Sequence, residues 1–118
     1  MHEPRSADAL LPLKPVVFQI LLTLAEGERH GYGIVQDIAG RTAARLRLRP
    51  GNLYRALDGM LELGLIEEAE PPSSAAGDER RRYYKITPFG RRVGAAEATR
   101  LRALVQHARA ARLLKART

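Results

Sequence analysis

The chain has 118 residues, enough for one domain with one modest core. It contains no Cys, which excludes disulfides, thiolate catalysis and zinc sites built on sulfur. Its 20 Lys and Arg outnumber 13 Asp and Glu, for a net charge of +7, and no apolar run approaches the ~20 residues of a membrane span. The expectation is a basic, cytoplasmic protein with a polyanionic partner and no membrane.

That positive charge is segregated. Residues 41–55 hold five Arg and no acid, 80–92 hold five Arg and Lys85 with no acid, and 100–118 hold six basic residues and no acid. Between them, 58–79 hold seven acids and no base. Blocks of one sign read as an electrostatic footprint for nucleic acid. Arg outnumbers Lys 17 to 3, which suits phosphate and base edges because the guanidinium fork binds bidentately. A GC-rich genome, which favours Arg and Ala codons, is the competing explanation of the same composition.

In chain order, residues 1–12 carry no helical pattern and are expected to form a flexible N-terminal arm. Leu13, Val17, Ile20, Leu21 and Leu24 then recur at helical spacing, with Pro12 and Pro15 confined to the first turn, so a helix is predicted over 13–25. Polar residues 26–30 connect it to a second helix, roughly Gly31 to Gly40, with Ile34, Val35 and Ile38 inward and Tyr32 and Gln36 outward. Arg45-Leu46-Arg47-Leu48-Arg49 alternates strictly. A period of two predicts a short strand, both Leu inward and three Arg outward.

The third helix is the stretch around which the chain is organised. Leu53, Leu57, Met60 and Leu61 give it one apolar face, Pro50 suits its first turn, and Gly64 suits its end. Asn52, Arg55, Ala56, Gly59 and Glu62 lie opposite. Such a helix either packs on the core with a solvated outer face or enters a major groove by its N-terminal end, where the helix dipole favours phosphate.

After Gly64, residues 65–70 and 80–87 read as two strands around a Pro-, Ser- and Gly-rich loop. A basic hairpin beside a helix–turn–helix is a wing. Tyr83 and Tyr84 should point to opposite faces of the second strand, one to the core. Thr87-Pro88 is a good helix start, and nothing breaks the pattern from there to about Lys115, ~28 residues or ~42 Å. Phe89, Val93, Leu101, Leu104, Val105 and Ala108 lie along this helix and are the expected dimerisation contacts, because a long apolar stripe without internal cover implies a second copy. A frayed or solvent-bridging end is the alternative. The fold class is thus mainly α with a small β-hairpin: a winged helix–turn–helix domain over 13–87 and a C-terminal dimerisation helix over 88–118.

Four motifs stand at matching order and spacing across residues 13 to about 92: His30-Gly31-Tyr32-Gly33-Ile34, Pro50-Gly51-Asn52-Leu53-Tyr54-Arg55-Ala56-Leu57, Gly64-Leu65-Ile66, and Arg81-Arg82-Tyr83-Tyr84-Lys85-Ile86-Thr87-Pro88-Phe89-Gly90-Arg91. Together they resemble the PadR-like family of bacterial transcriptional regulators, in its smaller subfamily with one terminal helix per chain. The resemblance implies a homodimeric repressor that leaves its operator when a small effector binds. It puts Asn52, Tyr54 and Arg55 where members contact the major groove and its phosphates, and Arg80 and Arg81 near a wing tip. There are departures. Arg49 replaces a small hydroxylic residue before Pro-Gly, which puts helix capping in doubt while adding a cation. Gly33 stands where a charged or polar residue is frequent, and the lack of Trp removes the stacking pair of some drug-binding members.

The candidate DNA-contacting set is Arg49, Asn52, Tyr54 and Arg55 on the third helix, Tyr32 and Gln36 on the second, and Arg80, Arg81 and Arg82 on the wing. Tyr54 either contacts phosphate or packs on the first helix, and Asn52 either reads adenine or caps its helix. His30 reads as a structural anchor, and with His2 and His107 far away in sequence no metal site is expected. The acids Glu67, Glu68 and Glu70 read as a solvated strand edge. No nucleophile–base pair or phosphate loop argues for an enzyme, and no cofactor is expected. The partners expected are double-stranded DNA bearing an inverted repeat, a second copy of the chain, and a small-molecule effector. A winged helix serving only protein–protein contacts is the rival reading.

Overall fold

A computed structural model of the chain describes residues 6–46, 48–71 and 81–115. Three helices gather round one core: α1 (Pro15–Ala25), α2 (Gly31–Arg41) and α3 (Pro50–Glu62). Each buries the face that its apolar spacing marks. Ile20, Leu21 and Leu24 come from α1, Ile34 and Ile38 from α2, and Leu53, Leu57 and Met60 from α3. Burial of each such side chain stabilises by ~1.5–3 kcal/mol.

A polar cluster sets α2 against α1. The buried Thr23 hydroxyl donates to Asp37 Oδ2 at 2.6 Å, and Arg41 spans the gap to Asp37, to the Thr23 hydroxyl, and to the side chain and carbonyl of Gln19. The hydrogen bond from Thr23 holds the Asp37 carboxyl below its ordinary range, with Arg41 adding to the effect against the opposing cost of burial.

A three-stranded antiparallel sheet closes the domain. Its strands are β1 (Arg29–His30), β2 (Ile66–Ala69) and β3 (Tyr83–Ile86), in the order β1-β3-β2. The expected hairpin is β2 and β3, with Glu67 opposite Lys85 and Glu68 opposite Tyr84. β1 was not foreseen; residues 26–30 read as a polar connection. With a strand on either side, β3 is central. Tyr83 and Tyr84 are therefore both buried, against the expectation that only one would be: Tyr84 enters the core, and the His30 ring covers Tyr83 edge-on at 5.3 Å.

The strand expected at residues 45–49 is absent from the described part of that stretch. α2 ends in a turn through Ala43 and Ala44, at φ 54° and 63°, and the Thr42 hydroxyl accepts from the Leu46 N–H. Leu46 and Leu48 do turn toward the core while Arg45 and Arg49 face solvent. The alternation is real, but the described part of this stretch pairs with none of the three strands, and a period of two without a pairing partner is not a strand. Arg47 lies outside the described residues.

α4 (Pro88–Ala110) starts where expected, with the Thr87 hydroxyl accepting from the Gly90 N–H at 2.9 Å. It stops earlier than Lys115, at a turn that puts Arg112 at φ 64°. Its first turns belong to the domain. Val93 is 0% exposed, wholly covered by its own chain, so the expectation that it contacts a second copy is corrected. Phe89 also packs against this core. Further along, Leu104 and Val105 are 50% and 39% exposed, with Leu101 and Ala108 half-buried.

Within the expected arm, Ala7–Leu10 form a short 3-10 turn that packs against α4. The buried carboxylate of Glu97 lies beneath this segment. It faces the Leu13 backbone N–H and accepts from Arg100 at 2.7 and 2.9 Å. The Arg100 hydrogen bonds hold its carboxyl below the ordinary glutamate range.

Candidate nucleic-acid interface

The tip of α3 is built by what precedes and follows it. Arg49 stands at the N-cap position and makes no side-chain cap, so the first-turn N–H groups of α3 have no side-chain acceptor there. The dipole and the Arg49 guanidinium thus add their fields at one exposed end. Arg49, Asn52, Tyr54 and Arg55 are all exposed around that end. Leu53 and Leu57, buried beneath, fix its orientation.

Tyr54, 43% exposed, sits beside the start of α2, where an added Cβ on Gly31 would lie 3.0 Å from its hydroxyl. Glycine at that position lets the two helices approach. His30 caps α2, its Nδ1 accepting from the Gly33 N–H at 3.0 Å, which leaves Tyr32 outward on the first turn at 61% exposure. Gln36 is exposed one turn further along α2. From the other side comes the segment leading into β3: Arg81 Nη1 lies 2.9 Å from His30 Nε2. Tyr32, Tyr54, Arg81 and Arg82 therefore line one surface recess, drawn from three separate elements.

Four of the expected residues, Arg49, Gln36, Asn52 and Arg55, do not line that recess. Asn52 and Arg55, on the neighbouring face of α3, line a groove shared with residues 10–17. Arg82 is engaged within the chain: its Nη2 donates to Glu68 at 2.7 Å, and its guanidinium lies 5.5 Å from the Tyr84 ring centroid. This contact holds the Glu68 carboxyl below its ordinary range. Exposed Asp58 adds a second acid one turn beyond Tyr54. Arg80 lies outside the described residues.

Sequence reasoning missed the role of β1, which brings His30 under Arg81. Its signal was faint, a two-residue strand with no alternation to read. It also missed Glu97, although this is the one acid after Glu79 and stands at helical spacing from Gly90 and Val93.

Helices α2 and α3 form the helix–turn–helix, and the β2–β3 hairpin stands beside them as a wing; this is the winged-helix class of fold. The sequence matches the Transcriptional regulator PadR-like family over residues 20–96, and the chain belongs to that family. The fold is similar to that of a PadR family transcription regulator from hypervirulent Clostridium difficile, with a TM-score of 0.68 and 23% identity over 80% of this chain and 95% of that one. A transcriptional regulator from Clostridium thermocellum aligns with a TM-score of 0.66 and 24% identity over 86% and 92%. An uncharacterised protein of Lysinibacillus sphaericus is 32% identical over 72 residues, which is 61% of this chain and 64% of that protein, less than two thirds of its length.

Proposed function

We propose that the chain is a homodimeric bacterial repressor that acts in the cytoplasm, binds an inverted-repeat operator and leaves it when a small molecule binds. The observation that carries this reading is the open α3 N-terminus with Arg49, Tyr54 and Arg55 exposed around it, flanked by Tyr32 and Arg81. In that role the α3 tip enters a major groove. Arg49, Tyr32, Tyr54 and Gln36 hold phosphates on either side, Arg55 and Asn52 reach base edges, and the wing with Arg80, Arg81 and Arg82 follows the backbone. Dimerisation falls to the outer half of α4, where Leu101, Leu104, Val105 and Ala108 repeat on one face, with Phe89 at its base. A twofold pairing there sets two α3 tips about 34 Å apart, one per successive major groove.

The test is selection of bound fragments from genomic DNA by the tagged protein, followed by fluorescence anisotropy on the recovered site. Each phosphate neutralised should contribute a slope of about −0.9 to log K against log salt. Arg55→Ala should weaken the site by about tenfold without altering the melting temperature, in line with ~1–3 kcal/mol for a base contact. Recovery of no preferred sequence would overturn the reading in favour of protein–protein contacts. An unchanged affinity would remove Arg55 from the interface.

A further inference from the structure

The groove that receives Asn52 and Arg55 has a character that DNA contact does not explain. Its volume is about 410 Å³, within the ~300–1,000 Å³ of small-molecule sites. One wall is the N-terminal segment, including Leu10 and Leu13, and continues with Val17 of α1; the other is α3 and the residue that ends it, with Met60 and Leu63. Against this apolar lining stand two cations, Lys14 and Arg55, and no carboxylate lines the groove among the described residues. Both cations are exposed, and neither is held in an ion pair among the described residues. Gly59, facing the groove from α3, leaves open space where a side chain would stand.

We propose that this groove binds a small amphipathic carboxylate, one such molecule per chain, with its apolar body along α1 and α3 and its carboxylate between Lys14 and Arg55. Charge complementarity selects the occupant: a neutral apolar molecule leaves both cations unanswered, and a bare anion leaves the apolar walls wet. The consequence for DNA, which rests on the reading above, is that a carboxylate paired with Arg55 withdraws that guanidinium from the operator. The ligand then acts on the DNA-facing helix itself.

Isothermal titration of the full chain with decanoate below its micellar range tests the site without DNA, so its outcome is separate from that of the repressor reading. Saturable binding is expected at one decanoate per chain, with decanol at least about tenfold weaker and inorganic phosphate giving no saturation. Gly59→Leu should abolish decanoate binding while keeping or raising the melting temperature, because leucine fills the groove and favours the helix more than glycine. Lys14→Gln should weaken decanoate about fivefold and leave decanol unchanged, the size expected of one exposed charge pair. Absence of saturation, equal affinity for decanol, or unchanged binding in Gly59→Leu would each overturn the proposal. A change of oligomeric state in Gly59→Leu would do the same, assigning the groove to a second copy.

Discussion

Glu97 and Arg100, one turn apart on α4, are joined by two hydrogen bonds of 2.7 and 2.9 Å, the carboxylate only 2% exposed and the guanidinium reaching solvent. The Leu13 N–H faces the same carboxylate, so one buried acid sits where the N-terminal segment meets α4. Replacing it with glutamine keeps the shape but removes the charge. Glu97→Gln should lower unfolding stability by about 1–3 kcal/mol, the range for an imperfectly satisfied buried polar group. Urea unfolding monitored by circular dichroism measures this.

The same residue predicts a pH dependence. The folded Glu97 and Asp37 carboxyl groups both sit below their unfolded values, Glu97 mainly through Arg100 and Asp37 mainly through Thr23. The unfolded chain therefore binds more protons in this window, and stability rises with pH. The contribution is complete above about pH 4–4.5, where the unfolded groups are ionised, and is lost as pH falls through the folded values. Glu97→Gln should flatten the slope of stability between about pH 5 and 3, and a slope equal to wild type would remove Glu97 as a contributor.

Gly90 is predicted to be irreplaceable. A Cβ there would run into the backbone carbonyl of Leu65, which also accepts the Thr87 N–H at the junction of β2, β3 and α4. A backbone atom cannot swing aside as a flexible side-chain end can. Gly90→Ala should cost more than about 3 kcal/mol, although alanine is the better helix former by about 1 kcal/mol. The control is Gly94→Ala on the same helix, where the nearest side-chain atom is 3.8 Å away, and which should be neutral or stabilising in a thermal melt.

Legibility followed physical range. Ile34, Leu53 and Leu57 sit where periodicity puts them, because burial on one face of a helix is a local property of the chain. Pro50 and Thr87 open their helices for equally local reasons. What failed depended on partners distant in sequence. Leu46 and Leu48 alternate as a strand does, yet the partners of β3 come from residues 29–30 and 66–69, and alternation alone does not say which segments pair. Val93 belongs to the apolar stripe of α4, but periodicity alone does not tell a chain's own core from a partner's. Arg82 reads as a wing cation, and only the β2–β3 register places Glu68 against it.

That pairing gives a prediction of opposite sign to the usual loss of function. Glu68 and Arg82 are both about half exposed, so their contact adds little to stability. Glu68→Gln should leave the melting temperature nearly unchanged while releasing the Arg82 guanidinium. If the wing follows a DNA backbone, affinity should rise and the salt dependence steepen by about one further phosphate contact, a slope change near −0.9. Anisotropy at several salt concentrations reads both. A parallel salt plot would show that Arg82 does not meet DNA.

The outer half of α4 separates pairing from folding. Leu104 and Val105 project from a part of the helix that lies beyond the core, whereas Val93, on the same stripe, is enclosed by it. A charge at either exposed site meets water in the monomer and an apolar partner in the dimer, so its cost falls on association alone. Leu104→Glu with Val105→Glu should shift sedimentation at micromolar concentration from dimer to monomer and leave the helical circular dichroism intact. If operator binding draws on both α3 tips, the same double variant should lose affinity for the full inverted repeat by at least about a hundredfold yet bind a half-site as wild type does. Val93→Glu should instead unfold the chain, since it leaves a charge in the core. Sedimentation of the wild type as a monomer, or an unchanged oligomeric state in the double variant, would move the pairing surface away from α4.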